Sequence, residues 1–332
     1  MSDERFLITG ALGCIGAWTV RNLLQDGAKV TVFDLATDPK RLKLVLSDEE
    51  LGSVQFVEGD ITDLGGFESA LDDHDINHVI HLAGLQMPFC KANPPLGALV
   101  NVVGTVNVFE AVKRRLDRIS RVTYASSIGV FGAPEDYEEG GPLKDDDRLV
   151  PHTHYGVHKQ ANEGAAHVYW QDESLPSIGL RPYVVYGVGR DQGMTSTPTT
   201  AMLAAAADIP YHISYGGQTV FQYADDTARA FIQAARSDYQ GAGAYNLGGS
   251  KYHMDEVKAA IGNIVPQAAD KITYEEFELP YPPEVDGSGL DAAIGPVPHR
   301  PLEEGVAETV EMFRGLVENG AIDAETYVKE RS

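Results

Sequence analysis

Cationic residues are scarce in this chain of 332 residues, which has 26 Lys and Arg against 49 Asp and Glu and a formal net charge of −23. Nucleic acids and anionic membranes bind to positively charged protein surfaces. The composition therefore argues against either as a partner. A dense acidic surface is typical of proteins from a high-salt cytoplasm, and an ordinary well-solvated surface explains it equally well.

Cysteines and long apolar runs are also rare. The two cysteines, Cys14 and Cys90, cannot form a disulfide framework and lack the spacing of metal ligands, so they suit a reducing cytoplasm. The longest wholly apolar run, 201–207, is far shorter than a membrane span, and the first residues are charged, unlike a signal peptide. We therefore expect a soluble, cytoplasmic protein without a membrane partner.

The chain does contain an alternation of apolar strands and helical segments. Short β-branched runs predict six strands, at 5–9, 28–34, 53–60, 77–84, 120–127 and 177–185. Apolar residues between them follow helical spacing, as in 15–25 and 99–115. Nearly continuous apolar strands are typical of a buried parallel sheet. The order predicts an α/β fold with a Rossmann-type, doubly wound parallel sheet.

The second half of the chain is less regular, which indicates a second, smaller domain. A loop rich in Gly, Pro and acidic residues, 132–151, precedes a predicted helix near 155–173 and could act as a lid. We assign the two domains to consecutive parts of the chain. The larger domain takes 1–185 and is rejoined by about 222–250, and the smaller, discontinuous substrate domain takes 186–221 and 251–332.

The first strand leads directly into the segment TGALGCIG, which contains three glycines. A strand, a Gly-rich turn and a helix form the phosphate-binding arrangement of dinucleotide-binding domains. Gly10 allows a sharp exit from the strand, Gly13 lets the backbone approach a pyrophosphate, and Gly16 lets the helix lie close to the sheet. Cys14 and Ile15 begin that helix, whose free N–H groups attract a phosphate. A tight turn without a ligand is the alternative.

Carboxylates follow the next two strands. Asp34 ends the second strand, 18 residues after the last of these glycines, close to the offset of a carboxylate that binds the adenosine ribose. A carboxylate there repels a 2′-phosphate, which favours NAD over NADP, although Lys40 and Arg41 could soften that preference. Asp60 follows the third strand, where it and Ile61 can meet the adenine. A role for Asp60 as a helix cap or turn residue is equally consistent.

The segment YGVHK places Tyr155 and Lys159 on one face of the helix that follows the fifth strand. No other tyrosine in the sequence has a lysine four residues later. A free tyrosine is a poor base at neutral pH. A neighbouring ammonium and a positive nicotinamide ring would lower its pKa, so that Tyr155 accepts a proton from a substrate hydroxyl while hydride leaves the carbon. The segment ASSIGVFG supplies a hydroxyl donor at the carboxyl end of the fifth strand.

Together these segments resemble the extended short-chain dehydrogenase/reductase family of the NAD-dependent epimerase/dehydratase type. The resemblance covers most of the chain through seven ordered motifs: TGALGCIG, HLAG, NVVGT, SSIGVFG, YGVHK, RPYVVYG and FQYADDTARA. It implies that Ser127 is the catalytic hydroxyl and that Asn101 supports the active site. It also implies that the backbone of Leu82, Ala83 and Gly84 passes the cofactor.

The resemblance implies an NAD-dependent oxidoreductase that acts on a carbinol of a sugar or a small hydroxy compound. A nucleotide-sugar epimerase or dehydratase with tightly bound NAD is the alternative. A dinucleotide-sensing protein without catalysis is a third possibility, against which the intact Ser127, Tyr155 and Lys159 argue. Family members commonly dimerise through helices that correspond to about 95–115 and 156–173, so we expect a homodimer, with the apolar side chains of Val100, Val103, Val108 and Val112 as weak support.

Few cations are available to bind a charged substrate. From 190 to 260 the sequence has five: Arg190, Arg229, Arg236, Lys251 and Lys258. A buried diphosphate requires Arg or Lys partners, so we expect a small substrate that is neutral or singly charged. Gln86 and Ile128 are predicted to contact this substrate together with Arg190, which could bind one carboxylate.

Three histidines flank the predicted catalytic tyrosine, at positions 152, 154 and 158. No further ligand accompanies them and the reaction needs no metal, so we predict no metal site. His81 is expected in a buried strand, and Cys90 is expected to be a loop thiol.

Overall fold

The computed structural model describes residues 3–137 and 141–331, so that positions 138–140 of the predicted loop lie outside the described residues. The described chain forms twelve strands: β1 (Arg5–Thr9), β2 (Lys29–Asp34), β3 (Gln55–Glu58), β4 (His78–His81), β5 (Val122–Ala125), β6 (Ser177–Arg181), β7 (Val184–Tyr186), β8 (Tyr211–Ile213), β9 (Gln218–Tyr223), β10 (Ala242–Asn246), β11 (Ser250–His253) and β12 (Ile272–Tyr274).

The same residues form thirteen α-helices: α1 (Cys14–Gln25), α2 (Asp48–Gly52), α3 (Leu64–Asp73), α4 (Met87–Ala92), α5 (Pro94–Ala98), α6 (Gly104–Lys113), α7 (His154–Glu173), α8 (Thr197–Ala206), α9 (Ala224–Arg236), α10 (Met254–Ile264), α11 (Ser288–Ile294), α12 (Leu302–Glu318) and α13 (Ala324–Lys329). A π-helix at Leu99–Val103 joins α5 to α6. A 3₁₀ turn at Ile128–Val130 follows β5.

Seven parallel strands form the central sheet in the order β10-β6-β5-β4-β1-β2-β3. The central β1 pairs with β2 on one side and with β4 on the other, so the direction of winding reverses at β1. Ligands of open α/β sheets bind beside such a reversal, at the carboxyl ends of the strands. The predicted Rossmann-type α/β fold is confirmed.

Helices cover both faces of this sheet, which explains its continuous apolar strands. Along β1, Phe6 and Ile8 pack on the face that also buries Trp18 of α1, whereas Leu7 packs on the opposite face with Phe67 of α3. This alternation follows from the two-residue period of a strand. The sheet edge that carries the site is therefore held between two apolar layers.

The predicted strand at 177–185 is wrong as a single element, because it divides at Pro182. β6 ends at Arg181 in the central sheet, and β7 joins a second sheet of order β11-β9-β7. Proline has no N–H to donate to a ladder. The Pro182 carbonyl instead accepts a hydrogen bond from the Ile128 N–H (3.1 Å), and the Tyr183 N–H donates to the Gln222 side chain (2.7 Å).

The loop after β7 lies against the first turns of α1. Trp18 donates from its indole nitrogen to the Val188 carbonyl (2.9 Å). A Cβ atom at Gly189, whose φ is +90°, would lie 4.0 Å from the Cys14 Cα. This loop therefore forms one wall of the crevice at the glycine turn.

The remaining strands and helices of the second half form a smaller layer beside the central sheet. They include the parallel pair β12–β8 and the helices α8, α10 and α12. Their buried side chains, such as Met202, Ile261 and Phe313, belong to one continuous apolar cluster with Ile8 of β1. The division at 185 with the return at 222–250 stays a prediction.

One helical stretch of the described chain, Pro94–Lys113, is long and apolar enough to cross a membrane by length and composition. Its α6 part buries Val108, Phe109 and Val112 in the core beside the central sheet. Core helices of soluble proteins pass the same test. The burial also corrects the predicted dimer surface, because Val108 and Val112 are fully buried and cannot contact a partner chain.

Candidate active site

The glycine turn begins the site at the carboxyl end of β1. Gly10 has a φ of +67°, and a Cβ atom there would lie 2.6 Å from the Ala83 nitrogen. A Cβ atom at Gly16 would lie 2.6 Å from the Gly10 carbonyl oxygen. Side chains are therefore excluded at both positions by close backbone packing, at Gly10 against the segment after β4 and at Gly16 against the preceding turn.

The N-terminus of α1 faces this crevice. Gly13 is the N-cap, and the first turn of α1, which includes Cys14 and Ile15, has no acidic residue. Helix N-terminal N–H groups and the helix dipole favour an anion at this point. Burial raises the pKa of the Cys14 thiol to about 12, so this side chain adds no negative charge. The arrangement fits the diphosphate of a dinucleotide.

Asp34 ends β2 beside this turn. Its carboxylate accepts hydrogen bonds from the N–H groups of Leu12 (3.2 Å) and Leu35 (2.9 Å). Burial raises the pKa of Asp34, while these hydrogen bonds and the charge of Arg41 oppose the rise. The carboxylate is therefore fixed at the edge of the crevice, where an adenosine ribose would be bound.

Asp60 and Ile61 follow β3 and occupy different environments. Asp60 is exposed, and its carboxylate accepts a hydrogen bond from the Thr62 N–H (2.8 Å), which is the alternative turn role. Ile61 is buried, and a Cβ atom at Gly104 would lie 2.7 Å from its side chain. Contact of either residue with adenine stays a prediction.

Leu82, Ala83 and Gly84 leave β4 along the crevice. The Ala83 N–H donates to the Thr9 hydroxyl (3.2 Å). A Cβ atom at Gly84 would lie 3.3 Å from the Asn101 side-chain oxygen and 3.6 Å from the Lys159 ammonium. This segment therefore connects the glycine turn to the predicted catalytic residues.

The structure brings Tyr155 and Ser127 together. Tyr155 lies in the first turn of α7, and Ser127 is the N-cap of the 3₁₀ turn after β5. A Cβ atom at Gly129 would lie 3.4 Å from the Ser127 Oγ and 3.5 Å from the Tyr155 ring. Burial raises the pKa of Tyr155, and its hydrogen bond with Ser127 and the charge of Arg190 oppose the rise.

Lys159 is buried one helical turn after the tyrosine. Its Nζ donates to the Ala125 carbonyl (2.6 Å) and lies 5.7 Å from the centre of the Tyr155 ring. Burial lowers the pKa of Lys159 to about 8. The sequence predicts that this ammonium lowers the pKa of Tyr155. In the protein alone, loss of hydration raises the pKa of Tyr155, because a phenolate is poorly stabilised in a dry site, and the cation that opposes the rise is Arg190.

Asn101 lies in the π-helix between α5 and α6. Its side chain makes two hydrogen bonds with the backbone of Leu85, accepting at 2.7 Å and donating at 2.9 Å. Its carbonyl accepts from the Asn162 side chain of α7 (2.9 Å). Asn101 therefore ties the segment after β4 to the catalytic helix.

Cys90 is not the predicted loop thiol. It is fully buried in α4, where its sulfur donates to the Leu85 carbonyl and accepts from Asn101, both at 3.3 Å. Burial raises the pKa of Cys90, so the thiol acts as a packing and hydrogen-bonding group.

A buried chain of hydrogen bonds behind the site was missed by sequence reasoning, although His81 does lie in a buried strand as expected. Thr9 Oγ1 lies 2.7 Å from His81 Nδ1, and Thr105 Oγ1 lies 3.0 Å from His81 Nε2. Thr105 donates its own proton to the Asn101 carbonyl (2.7 Å). The Nε2 of His81 must then carry the proton. Burial lowers the pKa of His81 to about 3, which keeps the ring neutral.

Sequence reasoning also missed Glu163, which lies four residues after Lys159 on the same face of α7. Its carboxylate binds Arg181 of β6 through two hydrogen bonds of 2.8 Å. It also accepts a hydrogen bond from the Ser126 hydroxyl, next to Ser127. The spacing 155, 159, 163 is the sequence signal that could have revealed it.

Two of the predicted substrate residues, Gln86 and Arg190, lie close to Gly193 of the loop after β7. A Cβ atom at Gly193 would lie 2.9 Å from the Gln86 side-chain oxygen and 3.6 Å from Arg190 Nη2. Arg190 donates to the Thr195 hydroxyl (2.8 Å), and its buried Nε has no partner within the described residues. Ile128 is buried beside Ser127. Contact of Gln86, Ile128 and Arg190 with substrate stays a prediction.

The histidines near Tyr155 are separate from one another. His152 lies 2.9 Å from a carboxylate oxygen of Asp136, and the rings of His154 and His158 are 6.5 Å apart. Across residues 3–137 and 141–331, no group of three or more His, Cys, Asp or Glu side chains is arranged to bind a metal.

A doubly wound sheet with a glycine turn, a terminal carboxylate on β2 and a Ser–Tyr–Lys group defines a dinucleotide-dependent enzyme class. Residues 6–248 match the NAD dependent epimerase/dehydratase family, and the chain belongs to this family. Its members are NAD-dependent enzymes, and the predictions of family, NAD and enzymatic activity are confirmed.

Individual relatives have different activities. UDP-glucose 4-epimerase of Mycolicibacterium smegmatis is 31% identical over 323 residues, which cover 93% of this chain and 98% of the relative. The structure of Thermus thermophilus UDP-glucose 4-epimerase with NAD has a TM-score of 0.76 at 26% identity and covers 94% of this chain and 99% of that one. A holo L-threonine dehydrogenase from Cupriavidus necator has a TM-score of 0.80 at 23% identity, with coverage of 92% and 99%, which shows a shared fold.

Proposed function

We propose that this NAD-dependent enzyme oxidises a carbinol of a small hydroxy compound, with Tyr155 as the general base. The observation that carries the proposal is the meeting of Tyr155, Ser127 and Lys159 at the end of the glycine-lined crevice. NAD, when bound, supplies the hydride acceptor and a positive ring that favours the phenolate.

Each side chain then has a defined task. Tyr155 Oη accepts the proton of the substrate hydroxyl, and the C–H bond of the same carbon breaks as hydride leaves. Ser127 donates a hydrogen bond to the substrate oxygen and orients it. Lys159, held on the Ala125 carbonyl, positions the nicotinamide ribose and adds positive charge near the phenolate. Asn101 keeps the segment after β4 in place through Leu85.

The substrate class is argued from the cations between 190 and 260. Arg229 is bound to Asp225 (3.3 Å), Arg236 to Glu4 (2.8 Å), and Lys251 to Glu284 (2.7 Å). Arg190 is the cation whose charge lowers the pKa of Tyr155, so it acts at the catalytic group. One guanidinium suits a single carboxylate better than a diphosphate. We therefore propose a small, neutral or singly charged hydroxy compound of carbohydrate metabolism in the cytoplasm.

The direct test is reduction of added NAD by the purified protein with a panel of sugars, aldonates and hydroxy acids. We expect turnover with at least one hydroxy compound that lacks a nucleotide. Absence of NAD reduction across the panel, together with interconversion of a nucleotide sugar, would contradict the proposal.

Epimerisation or dehydration of a nucleotide sugar, with retained NAD, is the second candidate. It is favoured by the 31% identity with the Mycolicibacterium smegmatis epimerase, because the match covers 98% of that relative. Calorimetry with UDP, GDP and dTDP in the presence of NAD separates the two candidates. Micromolar binding of any of them would replace the first candidate with the second.

We also propose a homodimer that forms through the π-helix region and α7. The apolar side chains exposed there are Leu96, Leu99, Val103, Val157 and Val168, at 44 to 50% exposure. Burial of such side chains favours association. Sedimentation should show a dimer that Val157→Glu dissociates, and a monomer at all concentrations would rule the dimer out.

A further inference from the structure

Arg41 lies immediately beside the carboxylate that we assign to the adenosine ribose. Asp34 binds the N–H of Leu12 (3.2 Å), and Arg41 Nη1 donates to the carbonyl of the same residue (2.9 Å). The two charged groups therefore hold opposite ends of one residue in the glycine turn. An arginine in such a position can accommodate the 2′-phosphate of NADP.

The rest of this guanidinium is bound by Asp191, from the loop after β7. Arg41 Nε and Nη2 both donate to Asp191 Oδ1, at 2.9 and 2.7 Å. The side chains are 14% and 8% exposed. Arg331 supports Asp191 from the other side, with its Nε on the Asp191 carbonyl (3.0 Å). Arg41 is therefore held by a buried carboxylate.

We infer that Asp191 determines cofactor specificity by holding Arg41 away from a 2′-phosphate. A phosphate at the ribose must displace a buried carboxylate from the guanidinium and also face the charge of Asp34. Loss of the Asp191 charge leaves Arg41 free to make a charge-assisted contact with that phosphate. The inference rests on the proposed role of Asp34 at the ribose.

The experiment measures binding of NAD and NADP to the purified protein by calorimetry, without substrate. The wild type should bind NAD more tightly than NADP. Asp191→Asn should raise NADP affinity relative to NAD about tenfold, the size expected for one hydrogen bond between charged groups. The double variant Asp191→Asn/Arg41→Gln should lose that gain. Asp208→Asn, which removes a carboxylate that pairs with Lys271 at the surface (2.7 Å), is the matched control and should keep the wild-type ratio.

A second comparison does not depend on the stability of Asp191→Asn. In the Asp34→Ala background, Arg41 is still held by Asp191, so adding Arg41→Gln should leave NADP affinity unchanged within twofold. A large loss of NADP affinity in this double variant would overturn the inference. For Asp191→Asn alone, an unchanged ratio of NADP affinity to NAD affinity, or an equal loss of affinity for both cofactors, would overturn it as well. Equal binding of NAD and NADP by the wild type would instead refute the role of Asp34, and this inference with it.

Discussion

Glu163 and Arg181 form a buried, two-pronged ion pair between the catalytic helix and the central sheet, with both contacts at 2.8 Å. Their side chains are 8% and 3% exposed. The same carboxylate accepts a hydrogen bond from Ser126, the neighbour of the predicted catalytic Ser127. The pair therefore sets the distance between α7, which carries Tyr155, and the end of β5.

Glu163→Gln should lower the free energy of unfolding by about 3–5 kcal/mol, because it leaves the Arg181 guanidinium buried without a countercharge. Urea denaturation measures the change. Glu110→Gln is the matched control, since Glu110 pairs with Lys113 at the surface (2.9 Å) and should contribute less than about 1 kcal/mol. Equal effects of the two substitutions would contradict a special role of the buried pair.

Tyr155→Phe should lower turnover about a hundredfold to ten-thousandfold, because it removes the proton acceptor and little volume. NAD binding should stay within twofold of the wild type. Ser127→Ala should cost less, since it removes one hydrogen bond. Tyr169→Phe on the same helix, whose hydroxyl donates to Glu110 (2.7 Å), is the control and should retain activity. Near-normal turnover in Tyr155→Phe would refute the assignment.

The low pKa of His81, about 3, predicts a stability loss in weak acid. Below pH 6.5 the unfolded chain binds a proton that the folded chain rejects, so stability falls as the pH drops from 6.5 towards 3. Between pH 7 and 5 the wild type should lose about 2 kcal/mol more than His81→Gln. Denaturation at several pH values measures this, with His167→Gln on the exposed face of α7 as control. If the free energies of unfolding of the wild type and His81→Gln changed with pH in parallel, His81 would have the same pKa in the folded and unfolded chains, which would contradict the prediction.

Lys159 predicts the same direction of pH dependence as His81, but in a basic window, because its pKa is also lowered. Its pKa is lowered to about 8, so between pH 8 and 10.5 the unfolded chain binds the proton that the folded chain has lost. Stability therefore rises with pH in that window. Between pH 7.5 and 9.5 the wild type should gain about 2 kcal/mol relative to Lys159→Met, as measured by denaturation. Lys91→Met, at an exposed position of α4, should behave as the wild type does. No relative gain would mean that the Lys159 ammonium is well hydrated.

Local sequence features predicted the parts of the site that depend on backbone geometry. Gly10 and Gly16 could be identified because a turn between strand and helix excludes side chains there. Asp34 could be identified from its position at the end of the second strand, 18 residues after Gly16. Tyr155 and Lys159 followed from helical spacing after β5. The alternation of strands and helices predicted the doubly wound parallel sheet, since crossover connections have one hand.

Contacts between distant segments could not be predicted in the same way. Asp191 meets Arg41 across 150 positions of sequence, and neither lies in a recognisable motif. The break between β6 and β7 at Pro182 could not be predicted, because it depends on β7 pairing in a different sheet from β6. The burial of Cys90 depends on the packing of α4 and Asn101 rather than on its neighbours in sequence. Such features depend on tertiary structure, which composition and periodicity do not specify.

The described part of the loop before α7 is fastened to the core rather than free. Arg181, which holds Glu163, also donates to the Asp145 carbonyl (2.9 Å), and Asn246 donates from its side chain to the Leu143 carbonyl (3.0 Å). Moving Leu143 and Asp145 outward would therefore break both hydrogen bonds and remove one partner from the Arg181 guanidinium that binds Glu163 of the catalytic helix.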